Sequence, residues 1–440
     1  MGKELKDIAK DLISKNKKVQ LIYAFNGTGK TRLSRAFKEE IAPSKQDDGT
    51  DGDTGQSRER FLYYNAFTED LFYWDNDLKE DSNPKLKIQP NSFTGWLIDL
   101  LKELGEDGNI ATNFQRYTGS KATPIFNEKY KAKIDEKEVT IPEFSEVTFQ
   151  VAAKEPINYE PGTAATDGVE NVVQGKYEVI KISKGEESNF VWSVMYTLLQ
   201  QVISTLNEQD VTNRITDKFD ALKYVFIDDP VSSLDDTHLI ELAVDLADLI
   251  KRSYYFEGRG LRFVITTHSP LFYNVLHNEL NNDLKNPAKN KEPENDKIPA
   301  WLYKRDQSEK HRLVKNVDET FELLSSNDHP FSYHLFLLSE IREAINKKQV
   351  RKYHFSFMRN ILEKAATFLG YPRWEDLLIK TAEGSPDPFS NRILNLASHS
   401  AHAGEEITDI EEKDKENLEA LVNHLFRTYG FKKQEVKSDQ

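Results

Sequence analysis

Ala24 to Thr31 (AFNGTGKT) join the apolar run VQLIYAF, residues 19–25, to a helical stretch. Gly-rich backbone N–H groups at the start of a helix can cradle phosphates there. In such a P-loop Asn26, Gly27, Thr28 and Gly29 would wrap the phosphates, Lys30 would reach the β and γ oxygens, and Thr31 would hold Mg²⁺. The stretch departs from GxxxxGK[ST] at Ala24, which suits the position if its φ is negative. Further on, YVFIDDP ends an apolar run in Asp228 and Asp229, which would present one carboxylate to Mg²⁺ and one to an attacking water. Carboxylates ending a buried strand are costly unless cations or water receive them. Asp229 stands where many ATPases carry Glu, so slow hydrolysis is expected. Near the C-terminus, Arg359 and Glu363 share one face of the helix read from KYHFSFMRNILEKAATFLG. On spacing alone they form an exposed ion pair of at most ~0.5 kcal/mol. NLASHSAHAG nearby adds His399 and His402. Arg, Glu and His without metal ligands could cleave RNA by internal transfer. One group would take the 2′-hydroxyl proton, another would protonate the 5′-oxygen, and the guanidinium would stabilise the phosphorane.

These residues need a scaffold. Leu5, Ile8, Ala9, Leu12 and Ile13 are spaced as a short amphipathic helix, followed by the strand at 19–25 and a helix to about Glu40. PSKQDDGTDGDTGQSRER, about 42–60, is a polar surface insertion. Residues 110–180 alternate in short runs (EVTIPEF, EVTFQVA, KYEVIKI) and predict antiparallel strands. SNFVWSVMYTLLQQVISTL is a long buried helix, DTHLIELAVDLADLIKRS another helix, and LRFVITTHS an apolar strand. Strands alternating with helices predict a mainly parallel sheet. A second polar stretch, 281–299, precedes a short strand in AWLYKRD, and helices dominate beyond about 330. The division expected is residues 1–315 as the nucleotide-binding domain and 316–440 as an all-α domain.

The chain has 440 residues and a net charge of −14, so a generally basic nucleic-acid coat protein is excluded and any RNA contact must be local. Residues 341–380 hold nine Lys/Arg against four Asp/Glu, with Tyr353, Phe355, Phe357, Tyr371 and Trp374 interleaved, which suits unstacked RNA. Six of the ten histidines lie at or beyond residue 329. With no Cys, thiolate metal sites, Cys nucleophiles and disulfides are ruled out. No signal peptide or membrane span is visible in the sequence, so a soluble cytoplasmic protein is expected.

Three further motifs fall in a telling order. ISKGEES (Ile182–Ser188), at the start of the long helix, resembles the LSGGQ signature of ABC-type ATPases, offering Ser183, Gly185 and Glu186 to nucleotide with Lys184 in place of a Gly. SSLDD, with Asp235, resembles their D-loop, and TTHS places His268 as their switch histidine. Such heads complete a nucleotide site with the signature of an opposing head, so a chain with one of each element implies a nucleotide-dependent homodimer. The region between P-loop and signature lacks sustained heptads, which excludes a long coiled-coil arm.

YAFNGTGKTRLSRAF, YYNAFTEDLFYWDND, SKGEESNF, YVFIDDPVSSLDD, ITTHSPLFYNVL, FSYHL and RNILEKAATFLGYPRW…SHS together resemble the bacterial anticodon nucleases of the PrrC type, from about residue 17 to the C-terminus. The resemblance implies an ABC-type α/β P-loop head, with a mainly parallel sheet and added antiparallel strands, controlling a HEPN-like helical ribonuclease domain. It implies cleavage of a tRNA anticodon loop, typically of tRNA-Lys, without metal, leaving 2′,3′-cyclic phosphate and 5′-hydroxyl ends. The family's triad falls on Arg359, Glu363 and His399. GTP or ATP with Mg²⁺ in the head, dTTP binding, latency under a type I restriction-modification complex and abortive phage defence are implied as well. The segment before the P-loop is shorter than is usual in the family, leaving base preference open. Asp328 is the nearest candidate for the family's wobble-contacting Asp, and His402 is the alternative to His399. Two rivals remain: a nucleotide-driven sensor or scaffold whose helical end only binds partners, and a DNA-acting ATPase, for which the chain lacks a second acidic cluster.

Overall fold

The computed structural model describes residues 2–43, 60–65, 71–75, 84–89, 92–134, 137–152, 177–230, 234–291, 299–316, 318–326, 332–380, 382–384 and 411–431. His399, His402 and Asp328 lie outside them, as does most of the insertion at 42–60. The chain divides into two compact units, Met1–Pro330 and Phe331–Gln440.

The first unit is built on a six-stranded sheet in the order Phe321–Ser325, Ser308–Lys315, Val19–Tyr23, Arg262–Thr267, Tyr224–Asp228, Phe61–Asn65. All neighbours are parallel except the first pair. Val19–Tyr23 and Tyr224–Asp228 are buried throughout, as expected of central strands covered on both faces. On one face the helices Leu5–Ser14 and Lys30–Ile41 place Leu5, Ile8, Leu33 and Phe37 against Phe226 and Val264. The Phe37 ring meets those of Tyr224 and Phe226 at 5.1 and 5.8 Å.

The helix Lys184–Asn207 is buried nearly all round from Glu187 to Leu199, with sheet on two sides. Trp192 packs on Tyr64 of the main sheet at 5.9 Å. Phe190 packs on Phe72 and Phe149 at 5.4 and 5.2 Å, both from a second, antiparallel sheet. That sheet joins Phe72–Asp75, Lys85–Ile88, Glu146–Ala152, Thr123–Phe126 and Tyr177–Ile180. The expected antiparallel strands are present, although the region opens on a helix, Asp107–Thr118, and residues 92–104 form another.

Three strands of the main sheet were not read from the sequence: Phe61–Asn65, Ser308–Lys315 and Phe321–Ser325. Trp301–Tyr303, which was read, pairs among the described residues with Leu284–Lys285 alone, while Ser308–Lys315 and Phe321–Ser325 extend the main sheet. Ser308, Lys310 and His311 of the strand Ser308–Lys315 are buried, so the apolar alternation that marks a strand is absent. The expected border at 315/316 therefore falls between two paired strands, and the units divide at Pro330/Phe331.

In the second unit the described residues form the helices Tyr333–Asn346, Lys352–Leu369 and Glu412–Thr428, with a short 3-10 turn at Trp374–Leu377. Leu337, Ile341, Met358, Leu362, Leu421 and Leu425 meet in its core.

Candidate functional sites

The P-loop leaves Val19–Tyr23 at the C-terminal ends of the parallel strands, where open α/β sheets bind ligands. Gly27 and Gly29 have φ of 79° and 101°, backbone that only glycine adopts without strain. Ala24 has no positive φ, so the departure from the first glycine costs nothing. The Lys30 ammonium donates to the Ala24 and Phe25 carbonyls at 3.3 and 3.4 Å and to Asn26 Oδ1 at 3.1 Å, and lies 3.5 Å from Asp229 Oδ2.

Asp228 gathers hydroxyls. Thr31 Oγ1 donates to it at 2.8 Å, Thr266 Oγ1 at 2.5 Å and the Tyr63 hydroxyl at 3.1 Å. Burial and the Asp228 charge push the Tyr63 phenol up to about 12, so it remains a donor. Thr31, in the first turn of Lys30–Ile41, and Asp228, at the C-terminal end of its strand, are hard oxygen donors side by side, a set that fits Mg²⁺ carried by nucleotide phosphates. Bound there, the ion would neutralise charge developing on the phosphates.

Asp229 leaves the strand with φ of 54°, in the left-handed region. It accepts from the His268 N–H at 3.1 Å and the Thr267 hydroxyl at 3.3 Å, and its other oxygen meets His268 Nδ1. Burial, the largest single influence, raises its pKa. The hydrogen bonds from His268 and the Lys30 and His268 charges together outweigh it and hold the carboxyl below its usual range. A carboxylate so held orients a water more readily than it takes that water's proton. Ser183 caps the helix Lys184–Asn207: its Oγ accepts from Glu186 N–H at 3.3 Å and its N–H donates to Glu186 Oε2 at 2.8 Å. Gly185 lies in the first turn, and the expected phosphate ligands of the signature thus sit at a capped helix N-terminus. Asp235 caps Asp236–Arg252 through Thr237 and His238 N–H groups, both at 3.0 Å.

In the second unit Arg359 and Glu363 lie one turn apart on Lys352–Leu369, with Nε to Oε1 at 2.8 Å. Glu363 is half exposed, its side chain at 48%, against 26% for Arg359. The guanidinium lies over the Trp374 ring, 5.6 Å from its centroid. His334 of FSYHL is hydrogen-bonded to Asn360, and burial together with the Lys364 charge lowers its pKa.

A curated anticodon nuclease of Escherichia coli is 45% identical to this chain over 464 residues, covering all of both sequences. The chain belongs to the anticodon nuclease family. A family model described as an AAA domain also matches residues 195–427 of this nuclease-family chain. A solved structure described as the SmcHead bound to the C-winged helix domain of ScpA aligns with 71% of the chain and 90% of its own at 11% identity, with a TM-score of 0.28; a likeness that slight carries no argument.

Within the family member's head, Asn26 to Thr31, Asp228, Asp229 and His268 converge, and Ser183 and Asp235 each stand at a helix start. Sequence reasoning missed Tyr63, Thr266 and Thr267, which bind the Asp pair. Thr266 and Thr267 end the strand Arg262–Thr267 within the TTHS motif, a signal that could have found them, whereas Tyr63 lies mid-strand in Phe61–Asn65, which the sequence did not announce. In the second unit it brought Arg359 to Glu363, while His399, the third member of the expected triad, lies outside the described residues. No helix among the described residues is long and apolar enough to cross a membrane.

Proposed function

We propose that this protein is a nucleotide-gated endoribonuclease that cuts a tRNA anticodon loop, with tRNA-Lys the expected substrate. The observation that carries this reading is the 45% identity to an anticodon nuclease across the full length of both chains. The reaction is internal transfer. Glu363 accepts the 2′-hydroxyl proton, O2′ bonds to phosphorus as the P–O5′ bond breaks, and His399 returns a proton to the leaving O5′. Arg359 stabilises the negative charge of the phosphorane, and no metal is needed. The products are a 2′,3′-cyclic phosphate and a 5′-hydroxyl.

The second unit is proposed to be HEPN-like. GTP or ATP with Mg²⁺ at Lys30, Thr31 and Asp228 drives pairing of two heads across the signature motifs, and dTTP holds the active state. Latency under a type I restriction-modification complex and release during phage infection complete the reading, which places the protein in the cytoplasm.

Purified protein is loaded with nucleotide, quenched with EDTA, incubated with total tRNA, and the ends are mapped. Anticodon-loop cuts with cyclic-phosphate ends are expected. Cuts elsewhere, or none under any nucleotide, would sink the proposal. Glu363→Gln is expected to lower cleavage by about 10²–10⁴-fold while nucleotide hydrolysis persists. Unchanged toxicity on expression of this variant would favour the scaffold reading.

A further inference from the structure

Arg359 has a long, rotamer-rich side chain, so fixing it before reaction is worth more than its ion pair suggests. Two of its contacts bear on its attitude. Glu363 Oε1 engages Nε at 2.8 Å, and the face of the guanidinium lies over Trp374 at 5.6 Å. Trp374 is itself held: it packs against the core of the second unit and opens the turn Trp374–Leu377, whose Leu377 and following Leu378 are buried at 0% and 1% exposure. The ring is therefore a fixed surface, and a cation over its face is attracted by the ring quadrupole.

We infer that Trp374 is a positioning residue for cleavage: it holds the Arg359 guanidinium in the plane from which the cation meets the crowded phosphate, without touching substrate. The inference rests on the reading of Arg359 as the phosphorane-stabilising group. A ring that served only to fill the core would be replaceable by any apolar side chain of similar bulk. A positioning ring needs its π-face, strongest in Trp and weaker in Tyr and Phe.

Trp374→Leu, →Phe and →Tyr in the full chain separate the two. The expected kcat loss for RNA cleavage is about tenfold in W374L and two- to threefold in W374F and W374Y, with KM unchanged and equal melting temperatures for W374L and W374F. In ¹⁵N-arginine-labelled protein, the Arg359 Nε–Hε signal, assigned with Arg359→Lys, is expected to lose its ring-current shift in W374L. A signal that does not move overturns the inference whatever the rates do, and so does a W374L kcat equal to that of an active wild type. If the wild type cuts no anticodon loop, the functional proposal fails by itself, while the Arg359 signal still decides the positioning. Should W374L not fold, W374F carries the same test with its smaller shift.

Discussion

Asp229 shows how much one residue's surroundings decide. Its bonds to His268 and the Lys30 charge hold its pKa down against burial, while Asp228 one position earlier accepts from Thr31, Thr266 and Tyr63 hydroxyls. Asp229→Asn removes the charge that faces Lys30 and the oxygen that meets His268 Nδ1. Steady-state phosphate release is expected to fall by about 10²–10³-fold, with nucleotide binding retained in a fluorescence titration. Loss of binding to the same degree would mean that Asp229 maintains the P-loop and has no part in the hydrolytic step. The motif spelled out both Asp residues and His268. It could not say which carboxylate would face the lysine, because that is set by contacts between residues about 200 positions apart in the chain.

At the scale of elements, the signature helix is set by its two ends. Its start is fixed locally, since Ser183 and Glu186 satisfy each other's backbone and would do so in any context. Its burial is fixed from outside, by Trp192 against one sheet and Phe190 against the other. Ser183→Ala is expected to destabilise the first unit by about 1 kcal/mol, measured without nucleotide by urea unfolding. An unchanged midpoint would show that tertiary packing alone holds the helix start. The strand Ser308–Lys315 is the opposite case. Its register beside Val19–Tyr23 is specified by neighbours that its own polar sequence does not announce.

The whole molecule places charged groups where a sequence cannot foresee them. Lys18 lies fully buried at the end of the sheet opposite the P-loop, donating to the Lys251 and Ser253 carbonyls at 2.9 and 2.7 Å, and burial lowers its pKa to about 7. Below pH 7 the folded and unfolded chains both carry the proton and the cost of the buried charge is fully present. Between about 7 and its ordinary 10.5 only the unfolded chain binds it, so stability rises with pH across that window. Lys18→Met is expected to flatten this rise by a few kcal/mol in urea midpoints measured from pH 7 to 10.5. An identical slope in the variant would mean that Lys18 keeps an ordinary pKa. What the sequence determined by itself was local pattern: the P-loop, the Asp pair at a strand end, the capped helix start at Ser183, His268 after its strand and the Arg359–Glu363 spacing, because each is a short pattern with its own backbone requirement. The tertiary structure decided which strands extend the sheet, which hydroxyls converge on Asp228 and which ring lies beneath Arg359. Those contacts join residues far apart in the chain, and their partners are chosen by burial, which no short window of sequence records.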